Sequence, residues 1–325
     1  MSPLCFVTGA TGFVGRHLLP VLAREYRLRV LVRPGRTIAD GIDCEPVEGH
    51  LEDRDALRRG VAGATVVVHL AALVSFRRED RALMQRINVD ATATLAALAR
   101  EAEVRRLLHV STISAIACRD RPEVVDETAP YNYGRLRIGY CDTKHAAERA
   151  VLAEVDRGLD AVIVNPPSMF GAGDPRKGGD DSLLGAVRNG RLAFAPPGGL
   201  NVANVADVCD GMLAALLRGR SGERYILGGE NLTGRALVDR IAEIFGVDAP
   251  RRTLPGWLVR CAAAALGALE RVRGSRPPVT SDILRLAPRF HWFSSAKAER
   301  ELGYRCGPVD AGIRDAAADL EKNPD

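Results

Sequence analysis

The stretch Val7-Thr8-Gly9-Ala10-Thr11-Gly12-Phe13-Val14-Gly15 decides the fold. An apolar run at 4–7 precedes it, and residues 16–24 follow with leucines at helical spacing. Its three glycines therefore lie where a strand turns into a helix, a context that predicts a dinucleotide bound at the positive end of the helix. The residues expected at the cofactor in this turn are Gly9, Thr11, Gly12, Phe13 and Val14.

The end of the second predicted strand, 28–32, bears on the choice of cofactor. An acidic residue there would bind the ribose 2′-hydroxyl, whereas an arginine accommodates a 2′-phosphate. This chain has Arg33, with Arg36 close behind and no acid before Asp40. We therefore favour NADP(H), the alternative being an exposed turn that happens to carry arginines.

Composition bounds the class of protein. The chain has 325 residues, 46% of them apolar and 26% charged, as in an ordinary globular protein. Its net charge of +4 is spread among interleaved arginines and acids, so no nucleic-acid face is expected. Seven cysteines without a Cys-x-x-Cys pair favour a reducing cytoplasm and no metal site. The first strand starts at once, so no signal peptide is expected, and the longest apolar stretch, 261–269, is shorter than a membrane span requires.

Predicted strands and helices alternate along the first half of the chain. The segments that read as strands are 4–7, 28–32, 43–47, 66–72, 106–112 and 161–164. The segments that read as helices are 16–24, 54–59, 80–102 and 140–157. This alternation predicts an α/β protein with a Rossmann-type, doubly wound parallel sheet over residues 1–165.

The second half, 166–325, is expected to be mainly a smaller, interleaved substrate-binding domain with segments that return to the sheet. The stretch 118–136 is predicted to be a loop near the site, and 173–182 a mobile loop or lid. The apolar run from Pro255 to Val272 predicts a helix that forms a pocket wall or lies buried. Contact with a membrane surface is the less favoured alternative.

A Tyr-x-x-x-Lys motif, Tyr140 to Lys144, follows a strand that ends in Ser111-Thr112. Residues four apart share a helix face, so Tyr140 and Lys144 point the same way. A tyrosine, whose pKa is ordinarily near 10, can serve as a proton donor when a nearby cation stabilises its phenolate. The alternative is a packed aromatic and a solvated lysine. His69 is interpreted as a packing residue at a strand end.

These motifs together resemble the extended short-chain dehydrogenase/reductase family, the NAD-dependent epimerase/dehydratase group. The resemblance covers nearly the whole chain, and the Val-Arg-Pro after the second strand looks similar to dihydroflavonol-4-reductase, 3β-hydroxysteroid dehydrogenase and hopanoid-associated epimerase-like members. The further segments that carry it are 69–72, 88–89, 165–171, 222–229 and 294–304.

The resemblance implies a catalytic triad of Thr112, Tyr140 and Lys144. Thr112 would hydrogen-bond the substrate oxygen, Tyr140 would transfer the proton, and Lys144 would also hold the ribose of the nicotinamide. Further cofactor contacts are expected from Leu51, Leu70, Ala71, Ala72, Asn88 and Pro166. Substrate contacts are expected from Ser114 and Ser168.

Three departures from the family pattern bear on function. His50 stands where an aspartate near the adenine is common, so Leu51 is expected to pack on that ring instead. Ile113 and Ser114 stand where dehydratases carry an Asp-Glu pair, which disfavours a dehydratase. Ala203-Asn204 replaces a common Val-His.

The sequence thus favours an NADP(H)-dependent reductase or dehydrogenase for a ketone or secondary alcohol on a hydrophobic small molecule. The alternatives are a nucleotide-sugar epimerase with tightly bound NAD(P) and a non-catalytic NADP(H) sensor. The residues that could grip a diphosphate in an epimerase are Arg176, Lys177, Arg188 and Arg191. The resemblance also implies a homodimer paired through helices near 83–100 and 140–157 in a four-helix bundle.

Overall fold

The computed structural model describes residues 2–38, 41–174, 182–273 and 279–322, and all their side chains except those of 271–273. Within these residues the strands are β1 (Leu4–Thr8), β2 (Arg27–Val32), β3 (Cys44–Glu48), β4 (Val66–His69), β5 (Arg106–Val110), β6 (Val124–Val125), β7 (Ala161–Asn165), β8 (Ser168–Phe170), β9 (Gly199–Asn204), β10 (Arg224–Ile226), β11 (Glu230–Thr233) and β12 (Phe290–Phe293).

Twelve α-helices are present in the described chain. They are α1 (Phe13–Leu22), α2 (Arg54–Val61), α3 (Arg81–Met84), α4 (Ala91–Glu101), α5 (Gly139–Val155), α6 (Leu183–Arg188), α7 (Val205–Arg218), α8 (Gly234–Phe245), α9 (Gly256–Arg273), α10 (Ser281–Leu286), α11 (Ala296–Leu302) and α12 (Asp310–Lys322).

The main sheet is parallel and has the strand order β10-β7-β5-β4-β1-β2-β3. The chain runs outward in one direction from β1 to β3 and in the other from β4 to β10. The order therefore reverses between β1 and β4, and ligands bind at the carboxyl ends of the strands at such a point. The predicted α/β, doubly wound Rossmann-type fold is confirmed.

Helices cover both faces of this sheet. Successive residues of a strand point to opposite faces, so in β1 Val7 enters one core and Phe6 the other. The first core lies under α1 and α7, and the second under α2, α4 and α5. Because both faces of the sheet are covered, the central strand β4 consists of three buried valines and the buried His69, as its sequence predicts.

A second sheet, of order β11-β9-β12-β6, with β8 also paired to β9, lies among α6, α8 and α12. Each half of the sequence contributes a strand to the sheet formed mainly by the other half. The pair Val124–Val125, within the predicted loop 118–136, joins the second sheet through Trp292 and Phe293. The late strand β10 joins the main sheet beside β7.

The predicted helix 80–102 is not one regular α-helix, which corrects that expectation. A π-helical segment, Gln85–Asp90, separates α3 from α4. The wider turn rotates Asn88 into the interior, where it is 1% exposed and makes contacts described below.

The run 255–272 forms α9, as predicted, but the expectation of a buried helix is wrong for its outer face. Trp257 is 65% exposed and Leu258 is 41% exposed. None of the described helices has both the length and the hydropathy that crossing a bilayer requires. Of the predicted lid 173–182, residues 175–181 lie outside the described residues.

Candidate active site

The glycine turn between β1 and α1 is pressed against the chain that leaves β4. Gly9 has φ +78°, and a Cβ atom there would lie 2.6 Å from the Ala71 nitrogen. A Cβ on Gly15 would overlap the carbonyl oxygen of Ala10. Both positions therefore require glycine for the close approach of backbone segments. By contrast, the nearest atom to a Cβ on Gly12 is the Gly9 oxygen, at 3.3 Å, so Gly12 borders open space.

This turn fits the pyrophosphate of a dinucleotide. α1 begins at Phe13 with Gly12 as its N-cap and has no acidic residue in its first turn. The first N–H groups of a helix lack intrahelical acceptors and favour an anion. The side chain of Phe13 is in the core and Val14 packs against that core, so what these residues offer a phosphate is their N–H groups. Thr11 is half-buried in the same turn.

Across the switch point, Leu70, Ala71 and Ala72 form the half-buried segment that faces the turn. The Leu70 N–H donates to the Thr8 oxygen at 3.1 Å. Asn88 fixes the next residue, because its side chain accepts from the Leu73 N–H at 2.7 Å and donates to the Leu73 oxygen at 2.9 Å. The buried side chain of Asn88 therefore shapes this wall of the cleft.

A buried chain of hydrogen bonds extends from the turn. His69 Nδ1 lies 2.7 Å from Thr8 Oγ1, and its Nε2 lies 2.8 Å from Thr92 Oγ1. Burial, reinforced by the charge of Lys144, lowers the pKa of His69 to about 3 and keeps it neutral. No cluster of metal-ligating side chains occurs among the described residues. His69 is therefore a neutral residue, buried at the end of β4 and within hydrogen-bond distance of a hydroxyl at both ring nitrogens.

At the end of β2, Arg33 and Arg36 are both exposed in a tight turn. The Arg36 N–H donates to the Arg33 oxygen at 3.0 Å, and Gly35 has φ +72°. His50 is exposed near this turn, whereas Leu51 is half-buried against the core of the second face. The structure thus leaves both guanidinium groups in solvent on the side of the turn expected to hold the adenosine.

Lys144 is buried in α5 and points to the end of β5. Its ammonium group donates to the Val110 oxygen at 2.9 Å, two residues before Thr112. Burial lowers the pKa of Lys144 to about 8, although the nearby carboxylate of Glu148 acts in the opposite direction. Lys144 therefore lies beside the strand end that carries Thr112.

Thr112 and Tyr140 lie on the two elements that Lys144 joins. Thr112 is 9% exposed, and its Oγ1 accepts from the Ser114 N–H at 3.2 Å. The short 113–115 turn packs on α5, where His145 Nδ1 is 3.2 Å from the Ala115 oxygen. Tyr140 is half-buried at the start of α5, its ring packed edge-on against Phe76 at 5.7 Å between centroids.

Three residues that the sequence reasoning missed hold this arrangement. Asn165 Nδ2 donates to the Thr112 oxygen at 2.9 Å and to Glu148 Oε1 at 2.7 Å. Arg224 lies 2.9 Å from Glu148 Oε2, whose side chain is fully buried. Glu148 follows Lys144 by one helical turn on the same face, a spacing that could have identified it.

The structure also contains an apolar cavity of about 530 Å³. Phe76, which packs on Tyr140, is in its wall, and so is the half-buried Ser168. The other described lining residues are Phe170, Leu183, Leu184, Pro196, Pro197, Gly199, Leu200, Gly234, Leu237, Ile283, Leu286, Ala287, Arg289 and His291. Burial lowers the pKa of His291 to about 4, so this histidine adds no charge. Apart from Arg289, these lining residues are uncharged at neutral pH.

The other predicted residues fall around the site as follows. Pro166 is buried, and its oxygen accepts from the Ile113 N–H at 3.1 Å. Ser114 is half-buried in the 113–115 turn, but it is not among the described residues that line the cavity. Arg188 donates to the Leu320 oxygen at 3.5 Å, and neither it nor Arg191 is among those lining residues. Arg176 and Lys177 lie outside the described residues.

The Rossmann-type sheet, the glycine turn and the Tyr-x-x-x-Lys pair define an NAD(P)-dependent oxidoreductase of the extended short-chain type. The model of the NAD-dependent epimerase/dehydratase family matches residues 5–228, and the chain belongs to that family. The predicted resemblance is therefore confirmed.

Curated relatives match over nearly their full length. A putative dihydroflavonol 4-reductase of Synechocystis is 32% identical over 97% of this chain and 94% of its own. The 4-hydroxy-2-methyl-3-oxo-4-farnesyl-3,4-dihydroquinoline-1-oxide ketoreductase of Stigmatella aurantiaca is 37% identical over 92% and 91%. Sterol demethylase protein B of Methylococcus capsulatus is 32% identical over 96% and 96%. The crystal structure of gox2253 superposes with a TM-score of 0.87 at 33% identity over 99% and 98%.

Proposed function

We propose that this chain is an NADP(H)-dependent oxidoreductase that interconverts a ketone and a secondary alcohol on a hydrophobic small molecule. The observation that carries the proposal is the apolar cavity whose wall includes Phe76, the residue that packs on Tyr140. Such a cavity would bind the apolar body of a substrate and leave its carbonyl at the polar end. The names of the ketoreductase of Stigmatella and the sterol protein of Methylococcus support the same substrate class.

The glycine turn at Gly12 and the N-terminus of α1 would hold the pyrophosphate of the cofactor, which would supply the hydride for the carbonyl carbon. Thr112 orients the carbonyl oxygen by a hydrogen bond, and the Tyr140 hydroxyl delivers the proton to that oxygen as the C–H bond forms. The charged form of Lys144 stabilises the Tyr140 phenolate that results. Asn165 and Glu148 hold the strand end and the helix together, so that the donor and the oxygen keep their separation. The reverse steps oxidise the alcohol.

The preference for NADP(H) rests on Arg33 and Arg36. Both guanidinium groups are exposed at the end of β2, where a 2′-phosphate is expected in this fold. The replacement of both by serine should lower the preference for NADPH over NADH by at least about tenfold. Arg24→Ser, an exposed arginine after α1, is the matched control and should leave the ratio of the two cofactors unchanged.

We also propose the roles of the remaining residues and the assembly. Leu51 would pack on the adenine, and Ser114 and Ser168 would contact substrate. The division into a cofactor-binding part, 1–165, and a mainly substrate-binding part, 166–325, follows this assignment. A homodimer through α4 and α5 is supported by half-exposed alanines on both helices, such as Ala97 and Ala150. The cytoplasmic location stays a prediction from the cysteine pattern.

The test is the loss of NADPH absorbance in the presence of hydrophobic ketones. Tyr140→Phe should lower kcat by about 10²–10⁴-fold while NADPH still binds. If the purified protein carries bound NAD(P) and converts a nucleotide sugar without net consumption of the cofactor, it is instead an epimerase, an activity that the family name includes. Unchanged binding with no turnover of any substrate would favour the sensor.

A further inference from the structure

The outer face of α9 is exposed and apolar. Trp257, Leu258 and Leu269 are 65%, 41% and 40% exposed. Smaller exposed residues continue this face along the helix, namely Cys261, Ala262, Ala264, Ala265 and Ala268. The successive spacings of three and four residues place these side chains on one broad stripe. We refer to this stripe, from Trp257 to Leu269, as the outer stripe.

The opposite face of α9 is apolar as well. Val259, Ala263 and Gly267 are buried, and a Cβ on Gly267 would contact the Ser281 side chain of α10 at 3.4 Å. An ordinary surface helix turns charged residues to solvent on the side away from the core. Between 256 and 269, α9 carries one charged residue, Arg260. A solvent-facing helix of this composition needs a partner for its outer face.

The helix α9 adjoins the wall of the apolar cavity. The helix α10, which packs on α9, contributes Ile283 and Leu286 to the cavity wall, and Ile283 is 37% exposed. Arg260 of α9 and Arg289 of the cavity wall both approach Asp120, at 3.3 and 3.7 Å. The helix that carries the outer stripe and the cavity wall are therefore neighbours through α10 and Asp120.

The stretch of sequence that contains this helix carries an excess of positive charge. Residues 248–289 contain eight arginines and three acidic residues, a net charge of +5, whereas the whole chain has +4. Arg251 and Arg252 are exposed immediately before α9. Two of the three acidic residues have polar partners in the protein. The Glu270 carboxylate accepts a hydrogen bond from the Ser281 hydroxyl at 2.6 Å, and the buried Asp282 pairs with Arg285. Asp248 is exposed. Arg260 and Arg289 pair with Asp120, and Arg285 pairs with Asp282. The exposed Arg251 and Arg252 at the start of α9 are therefore the part of this surface that is complementary to an anionic surface.

We propose that the outer stripe of α9 binds the surface of an anionic lipid bilayer. The apolar side chains enter the boundary between headgroups and acyl chains, and the neighbouring arginines contact the headgroups. The helix lies in the plane of the surface and does not span it. The substrate class is then an apolar ketone or alcohol dissolved in the bilayer, a point that rests on the proposed function, whereas binding to the bilayer does not.

The experiment is co-sedimentation of the full chain with vesicles of phosphatidylcholine alone or mixed with phosphatidylglycerol. We expect binding to the anionic vesicles, with quenching of tryptophan fluorescence by brominated lipid. Trp257→Ser with Leu258→Ser should weaken binding by at least about tenfold and abolish most of the quenching. Leu217→Ser, an exposed leucine on α7, is the matched control and should bind as the unchanged chain does.

A second variant guards against failure to fold. Arg251→Glu with Arg252→Glu alters exposed side chains alone and should weaken binding to anionic vesicles by about tenfold or more. Absence of vesicle binding by the unchanged chain would overturn the proposal. So would a concentration-dependent dimer that the Trp257→Ser, Leu258→Ser variant abolishes, since a second copy would then cover the stripe. The Trp257→Ser, Leu258→Ser variant and the Leu217→Ser control should keep full activity on a water-soluble ketone. If the unchanged chain binds vesicles but reduces no ketone, the proposed function is wrong and the proposal of bilayer binding stands.

Discussion

Glu148 and Arg224 form an ion pair of 2.9 Å that joins the helix of Tyr140 and Lys144 to the last strand of the main sheet. The Glu148 side chain is fully buried and that of Arg224 is 22% exposed. The two residues come from opposite halves of the sequence. The pair therefore makes the geometry of the catalytic helix depend on the fold of the second half of the chain.

Removal of Arg224 should leave a buried carboxylate with Asn165 as its remaining partner. We expect Arg224→Met to lower the free energy of unfolding by about 3 kcal/mol, measured by urea denaturation. The double variant Arg224→Met, Glu148→Gln should recover part of that loss, because the isolated charge is gone. Arg58→Ala breaks an exposed pair with Asp55 and should cost less than about 1 kcal/mol. Equal losses in the free energy of unfolding for Arg224→Met and Arg58→Ala would show that the buried pair stabilises the fold no more than an exposed pair does.

Ketone reduction should depend on the charge of Lys144. Burial lowers the pKa of its ammonium group from 10.5 to about 8, so the lysine is charged below that pH and neutral above it. The Tyr140 phenolate loses its stabilising charge as the pH rises, and kcat/KM for reduction should fall with an apparent pKa near 8. The control is the circular dichroism of the protein over the same pH range, which reports the integrity of the fold. A kcat/KM that stays constant up to about pH 10 would contradict this role of Lys144.

The main sheet, the glycine turn and the Tyr-x-x-x-Lys face were predictable because each depends on residues close together in the sequence. Apolar runs such as Val66–His69 define buried strands, and the spacing of Tyr140 and Lys144 defines a helix face. The contact of Lys144 with Val110 joins residues 34 apart in the sequence, so it is shown by the structure and not by a local pattern. The apolar strands and the shared helix face are the local features.

The remaining features depend on contacts between distant segments. The π-helical turn at Asn88 forms because its amide meets Leu73 and Thr143 in the tertiary structure. The strand Val124–Val125 is two residues long and exists through its pairing with β12, which no local pattern shows. The cavity combines side chains from both halves of the sequence, so its volume and apolar character could not be predicted from any single segment.

The close approach at Gly9 should make this turn intolerant of any side chain. Gly9→Ala would place a methyl group 2.6 Å from the Ala71 nitrogen at a φ of +78°. We expect the free energy of unfolding to fall by about 2 kcal/mol or more and cofactor binding to be lost. Gly63 has φ +68° but open space around it, so Gly63→Ala should cost about 1 kcal/mol and leave cofactor binding intact. Cofactor binding by Gly9→Ala at the unchanged affinity, measured by calorimetry, would refute the close-packed turn.

The apolar cavity should determine which ketones are reduced. Leu200 lines the cavity and is 37% exposed, so an arginine side chain fits at this position without a change in the backbone. We expect Leu200→Arg to lower kcat/KM for a bulky apolar ketone by about thirtyfold, because the guanidinium group either fills the cavity or must be desolvated by the substrate. The rate with a small water-soluble ketone should change by less than about threefold, since such a molecule needs only the site at Tyr140. Leu217→Arg, at a leucine that is 44% exposed on α7, is the matched control and should alter neither rate. If both ketones lose activity equally in Leu200→Arg while Leu217→Arg is unaffected, the cavity serves the geometry of the active site and not the recognition of an apolar substrate.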